Sequence, residues 1–113
     1  MNDCIFCKIG AGQIGAQVVY SDPDVVAFRD LNPQAPTHIL VIPKKHIERV
    51  SLLTDDDFPL VGKIHAAIQK VARSEKLVNG YRVVTNDGKD GGQTVGHLHY
   101  HVLGGRPFKW PPG

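Results

Sequence analysis

Residues 55–76 read DDDFPLVGKIHAAIQKVARSEK. Apolar side chains recur at Phe58, Val61, Ile64, Ile68, Val71 and Ala72, the spacing of one helix face. Asp55, Asp56 and Asp57 crowd the start, where acids meet the positive end of the helix dipole. Pro59 is tolerated only in a first turn, so the start is placed to within a few residues, and Asn79-Gly80 closes the segment. The expected span is about Asp55 to Lys76. No other stretch of the 113 residues carries a long helical pattern. A parallel doubly wound sheet needs a helix for each crossover, and one helix is too few.

The segments on either side read as strands. "AQVVYS" (16–21) and "VVAFRD" (25–30) flank the turn "SDPD" and form a hairpin. "THILVI" (37–42) is β-branched, apolar and closed by Pro43. "PKKHIERVSLL" is an irregular connection, "YRVVT" (81–85) a strand, and "NDGKDGGQ" a glycine-rich loop. The histidine stretch beginning at residue 97 is the last strand, and "RPFKWPPG" is a tail from about residue 106. At the other end, "CIFCKI" suits a single helical turn. The expected class is α+β: an antiparallel sheet of about five strands, one long helix and a short N-terminal helix. Residues 1–113 are expected to form one domain.

Net charge is +2 with neutral histidines, which gives no bulk attraction to nucleic acid or membrane. No apolar run approaches the ~20 residues that span a bilayer, and the N-terminus does not read as a signal peptide. A cytoplasmic location is expected. The two cysteines, Cys4 and Cys7, form a C-x-x-C pair. Such a pair serves as a redox dithiol, as half of a zinc site, or as two ordinary small residues. No strand precedes it, which disfavours the redox reading.

Three of the six histidines stand at 97, 99 and 101, within GHLHYHVLGG (96–105). Alternation in a strand sends these rings to one face and Leu98, Tyr100 and Val102 to the other, into a core. The Cα atoms of the outer two are ~13 Å apart along a straight strand, whereas Zn–N bonds are ~2.0 Å. Three rings therefore cannot share one ion, and at most two do. The loop "DGKDGGQT" lies just upstream; its glycines let backbone N–H groups approach an anion, and Gln93 and Thr94 add donors. It is no P-loop, because no G-K-[ST] follows. A phosphate loop beside imidazoles suits nucleophilic attack at phosphorus.

These motifs resemble the histidine triad (HIT) family, and most closely its Hint branch, the purine nucleoside phosphoramidate hydrolases. The resemblance rests on "AFRDLNPQAPTHILVIPKKHI", "DGGQT", "HLHYHVLGGR" and the terminal "WPPG". It implies cleavage of purine nucleoside phosphoramidates or acyl-nucleotides to nucleoside monophosphate. By this likeness His99 is the nucleophile, its other ring nitrogen is held by a backbone carbonyl, and His101 and His38 assist. Asn86, Gly92, Gln93 and Thr94 would contact phosphate, and Asp30, with Leu31 beside it, would accept ribose hydroxyls. Ile5, Phe6, Ile9 and Phe28 would form the base slot. The bland readings differ: Phe6 and Phe28 also suit a core, Asp30 a turn, and His38 a buried satisfied ring. In bacterial relatives of this kind, the resemblance places structural Zn²⁺ on Cys4, Cys7, His46 and His97, with no metal required for catalysis; free thiols are the alternative. It also implies a homodimer whose C-terminal tail approaches the partner's site. Thr94 stands where many members carry serine, and Gly96 where a bulkier residue is common. A non-catalytic nucleotide sensor or scaffold, a dinucleoside polyphosphate hydrolase and a zinc-dependent hydrolase are the competing readings.

Overall fold

A computed structural model describes residues 3–113. Helix α1 (Ile5–Gly10) precedes β1 (Val18–Ser21), β2 (Val25–Arg29) and β3 (Thr37–Pro43). Two single-turn 3₁₀ segments, Val50–Leu52 and Asp55–Asp57, lead into α2 (Phe58–Ser74), and β4 (Tyr81–Val84) and β5 (Tyr100–Gly104) complete the sheet. The strand order is β1-β2-β3-β5-β4, with every neighbouring pair antiparallel. This is the expected α+β architecture. Among the described residues, no helix is long and apolar enough to cross a membrane.

Alternation along the central strands builds two cores. Val25, Ala27, Ile39, Val41, Leu98, Tyr100 and Val102 pack with Ile64, Ala67, Ile68 and Val71 of α2. The opposite parity, Val26, Phe28, Leu40 and Ile42, packs with Phe6 of α1. Both faces of β2 and β3 are thus covered, and these strands are the most buried part of the sheet. Burying one side chain such as Ile64 contributes about 1.5–3 kcal/mol.

The helix ends differ from the sequence expectation. The three aspartates form the 3₁₀ turn, and regular α-helix begins at Phe58 with Pro59 in its first turn. At the other end Lys76 takes a left-handed φ of 59°. Leu77 N–H then bonds Ala72 O at 3.0 Å and Lys76 N–H bonds Arg73 O at 3.1 Å. This is a Schellman cap with lysine in the place where glycine is usual, so the helix stops before Asn79-Gly80. The last strand is also shorter than expected. Its ladder begins at Tyr100, and His97 to His99 run on beyond it.

Asp57 closes the capping box of the 3₁₀ turn that leads into α2. Its buried carboxylate accepts from Lys45 Nζ at 2.7 Å, from Thr54 N–H at 3.0 Å and from Thr54 Oγ1 at 3.1 Å. Lys45 first, and then Thr54, holds the Asp57 carboxyl at about 2, below its ordinary 3.8. A carboxyl depressed by folding stabilises the fold above its unfolded pKa, and that contribution fades as pH falls toward the folded value. Asp57→Asn is therefore expected to lower the urea midpoint at neutral pH. The gap between wild type and variant should close between about pH 4 and pH 2; a constant gap would refute this role.

Candidate active site and metal centre

His38 of β3 and His101 of β5 lie on the α1 side of the sheet, where Leu40 opposes His101 and His38 is the diagonal neighbour. A backbone N–H can only donate, so the Gln34 N–H, 3.0 Å from His38 Nδ1, makes that nitrogen an acceptor. His38 therefore carries its proton on Nε2, which lies 2.9 Å from His101 Nδ1. His101 accepts there and presents an Nε2–H. Burial lowers the His38 pKa, with Asp30 opposing; the Asp30 Oδ2 lies 3.5 Å from His38 Nε2. Burial, and then His99 and His38, push His101 down to about 4, again against Asp30. Both rings are neutral at pH 7, as the hydrogen-bond directions require.

His99 is held differently. Its Nδ1 donates to the His97 carbonyl at 2.7 Å, which places the lone pair of the neutral ring on Nε2. The His99 carbonyl accepts from Thr85 Oγ1 at 2.9 Å, and Leu98 N–H bonds Ile47 O at 2.6 Å. These bonds replace the strand ladder that stops at Tyr100. Ring centroids pack at 5.1 Å for His99–His101 and 5.2 Å for Phe6–His99.

His99 and His101 line a groove of about 300 Å³. Its walls include Ile5, Phe6, Ile9, Phe28 and Leu40, and its polar rim includes Asp30 and Thr94, with Leu31 beside Asp30. An apolar slot with a few converging polar groups is the usual form of a small-ligand site. Nine of the residues anticipated for substrate binding, Ile5, Phe6, Ile9, Phe28, Asp30, Leu31, Thr94, His99 and His101, share this groove. His38 stands buried behind His101. Gly92 and Gln93 line an adjoining groove, and Asn86 lines neither. The Gln93 amide is committed to the loop: Oε1 accepts from Gly88 N–H at 2.9 Å, and Nε2 donates to Glu48 O at 2.8 Å and Val95 O at 2.9 Å. Gly91 is obligatory there, since a Cβ would meet Asp87 O at 2.5 Å. Sequence reasoning missed Leu40, Thr85 and the segment Ile14, Gly15, Ala16 and Gln17, which also lines the slot. Leu40 was detectable, because it shares strand parity with His38.

Cys4, Cys7, His46 and His97 bring one ligand atom each to within 4.8 Å of one another, close enough to bind a metal. His97 Nε2–H donates to Pro43 O at 2.8 Å, so its Nδ1 lone pair is turned to the cluster. That Nδ1 lies 3.3 Å from Cys4 Sγ and 3.4 Å from Cys7 Sγ, and Cys7 Sγ lies 3.2 Å from His46 Nδ1. Ligands at ~2.0–2.3 Å from a tetrahedral ion are separated by roughly 3.3–3.8 Å. The observed S–N distances match that edge to within about 0.3 Å. Asp30, His38 and His101 also cluster within 4.8 Å. There, His38 Nε2 and His101 Nδ1 already share a proton, so this second group is a hydrogen-bond relay.

A profile of the HIT domain matches residues 11–108. A HIT family hydrolase from Legionella pneumophila superposes with a TM-score of 0.96 at 51% identity, over 98% of this chain and all of that one. A histidine triad protein from Clostridium difficile gives 0.93 at 48%, over 96% of both chains. An uncharacterized HIT-like protein from Synechocystis is 48% identical over 98% of this chain and 97% of its own. The chain belongs to the HIT domain family. Its fold is that of HIT family hydrolases, and the segment carrying Cys4 and Cys7 precedes the matched HIT span.

Elemental analysis of the purified HIT protein is expected to find about one tetrahedral divalent ion per chain. Cys7→Ser or His97→Ala should lose it, while His38→Ala should retain it. Equal loss in all three variants would place the ion elsewhere.

Proposed function

We propose that this HIT protein hydrolyses purine nucleoside phosphoramidates, or the related acyl-nucleotides, to the nucleoside monophosphate. The observation that carries the reading is the His99 ring: Nδ1–H is tied to the His97 carbonyl, and Nε2 is left as a lone pair on a ring that lines the apolar groove. The base packs between Phe6, Phe28, Ile5 and Ile9, and Asp30 accepts the ribose hydroxyls, with Leu31 beside it. His99 Nε2 attacks the α-phosphorus, a P–N bond forms to the ring, and the bond to the leaving group breaks. Water then attacks phosphorus, releases the nucleoside monophosphate and restores neutral His99. Splitting the displacement into two steps is covalent catalysis. The His101 Nε2–H, backed by His38, and the Thr94 hydroxyl stabilise the phosphoryl oxygens. Asn86, Gly92 and Gln93 complete the phosphate loop.

In the same reading, Cys4, Cys7, His46 and His97 hold a structural Zn²⁺ that ties α1 to the last strand. Catalysis runs without metal. The protein works in the cytoplasm as a homodimer, one HIT domain per chain from 1 to 113, with the tail from about residue 106 reaching the partner's site. A histidine triad protein from Candida albicans, 30% identical over 98% of this chain, is a nucleotide-binding protein, which supports the ligand class.

His99→Ala is expected to lower kcat on an adenosine 5′-phosphoramidate by about 10³-fold or more while still binding adenosine monophosphate. Mass spectrometry of quenched wild type should trap an adenylylated His99. Saturable binding without turnover would instead indicate a sensor, and faster cleavage of dinucleoside polyphosphates a different substrate. Loss of turnover on chelation with the fold intact would indicate a metal hydrolase.

The tail lies against its own sheet edge. Arg82 donates to Lys109 O at 2.8 Å, and Phe108 is stacked between Arg82 and Arg106, at 4.9 and 4.1 Å. Trp110 is 85% exposed and would be the anchor on a partner. Deleting residues 109–113 should shift relative kcat/KM among leaving groups more than it shifts Tm. An unchanged specificity profile would count against the reading.

A further inference from the structure

A second groove adjoins the first, with Thr94 in the wall of both. It is lined by Glu48, Arg49, Lys89, Gln93 and the glycine backbone at Gly88, Gly92 and Gly96. We propose that this groove is a leaving-group subsite for an oxyanion, with Arg49 as the specificity-determining residue and Lys89 as its outer helper. The inference rests on the hydrolase reading above, in which the phosphoryl group sits against Thr94 and the leaving group extends beyond it.

Three features carry it. First, Arg49 has donors to spare. Its Nε is the one buried side-chain nitrogen or oxygen among the described residues without a hydrogen-bond partner, and the nearest carboxylate oxygen, Asp87 Oδ1, lies 3.9 Å away. Asp87 is itself occupied by the Ser51 N–H at 2.6 Å. The Arg49 side chain is 37% exposed and lines the groove, with Nε buried. A guanidinium of this kind suits a planar oxyanion. Second, the loop is shaped around that guanidinium. Gly88 has φ +73°, and a Cβ there would come within 3.3 Å of Arg49 Nη1. Third, the groove is kept open. A Cβ at Gly96 would meet only Glu48 Cγ, at 3.9 Å, so any larger side chain at 96 would stand in the space beside Glu48. Exposed Glu48 adds one carboxylate on the rim against the two cations Arg49 and Lys89. Recognition therefore depends on the directed donors of Arg49 rather than on net charge. The partner chemistry is a leaving amine that bears a carboxylate or a phosphate.

The test compares three adenosine phosphoramidates whose leaving amines are matched in size: one neutral, one with a carboxylate, one with a phosphate. Wild type is expected to show kcat/KM about tenfold or more higher for at least one charged amine than for the neutral one, as for a charge-assisted hydrogen bond. That ratio should fall to within about twofold in Arg49→Gln and by a smaller factor in Lys89→Ser. Gly96→Tyr should remove the preference by filling the groove. Which of the two charged substrates carries the preference identifies the oxyanion. Turnover of all three at similar rates by wild type would overturn the subsite and leave the hydrolase reading intact. A preference that survives Arg49→Gln would also overturn it. Turnover of none would sink the hydrolase reading, and the subsite with it.

Discussion

The hydrogen bond from His99 Nδ1–H to the His97 carbonyl, 2.7 Å long, is the constraint on which the site depends. A regular ladder would send that carbonyl to a neighbouring strand. Here β5 pairs only from Tyr100, and the preceding residues are held by other means: Leu98 N–H on Ile47 O, and Thr85 Oγ1 on the His99 carbonyl. Every backbone group that leaves the sheet must find a substitute partner, because an unpaired buried one costs about 1–3 kcal/mol. The substitutes free the His97 carbonyl for the ring two residues on. They fix the tautomer of His99 by backbone geometry alone.

His97 belongs to two systems at once. Its carbonyl orients His99, while its ring donates to Pro43 O and turns Nδ1 to the two thiols and His46. Phe6 joins the same pair from the other side, with its ring edge-on to His97 at 6.0 Å and to His99 at 5.2 Å. Helix α1 has six residues, too few to persist alone. It is kept in place by Phe6 in the core and by the cysteine–histidine cluster. The wall of the groove and the cysteine–histidine cluster are therefore one structural unit.

The fold was legible because both periodicities were clean: one helical pattern, and alternation strong enough to place Leu98, Tyr100 and Val102 in the α2 core. Strand arithmetic set a limit of two of these histidines per ion, and His97 lies with Cys4, Cys7 and His46 while His101 lies with Asp30 and His38. What escaped the sequence were features decided by single contacts. Lys76 ends α2 in a conformation that propensity assigns to glycine. Thr85 acts through one hydroxyl at the point where a ladder stops. Gln93 also has a role that its position does not announce: its amide closes its own loop. Residues 14–17 line the slot from a segment with no periodicity, so no pattern could announce them.

The polarity of the His38–His101 pair follows from a single backbone group. Two neutral imidazoles in contact can share a proton in either sense, and nothing in the rings chooses between them. Gln34 N–H chooses, because an amide nitrogen never accepts. Donation into His38 Nδ1 forces the proton to Nε2, and that proton forces His101 to accept on Nδ1 and donate from Nε2. The chain of bonds therefore runs outward, from a backbone donor through a buried ring to the groove. Burial first, and then the neighbouring His99 and His38, push the His101 ring down to about 4, against Asp30. A ring that stays neutral yet always presents N–H is suited to a phosphoryl oxygen.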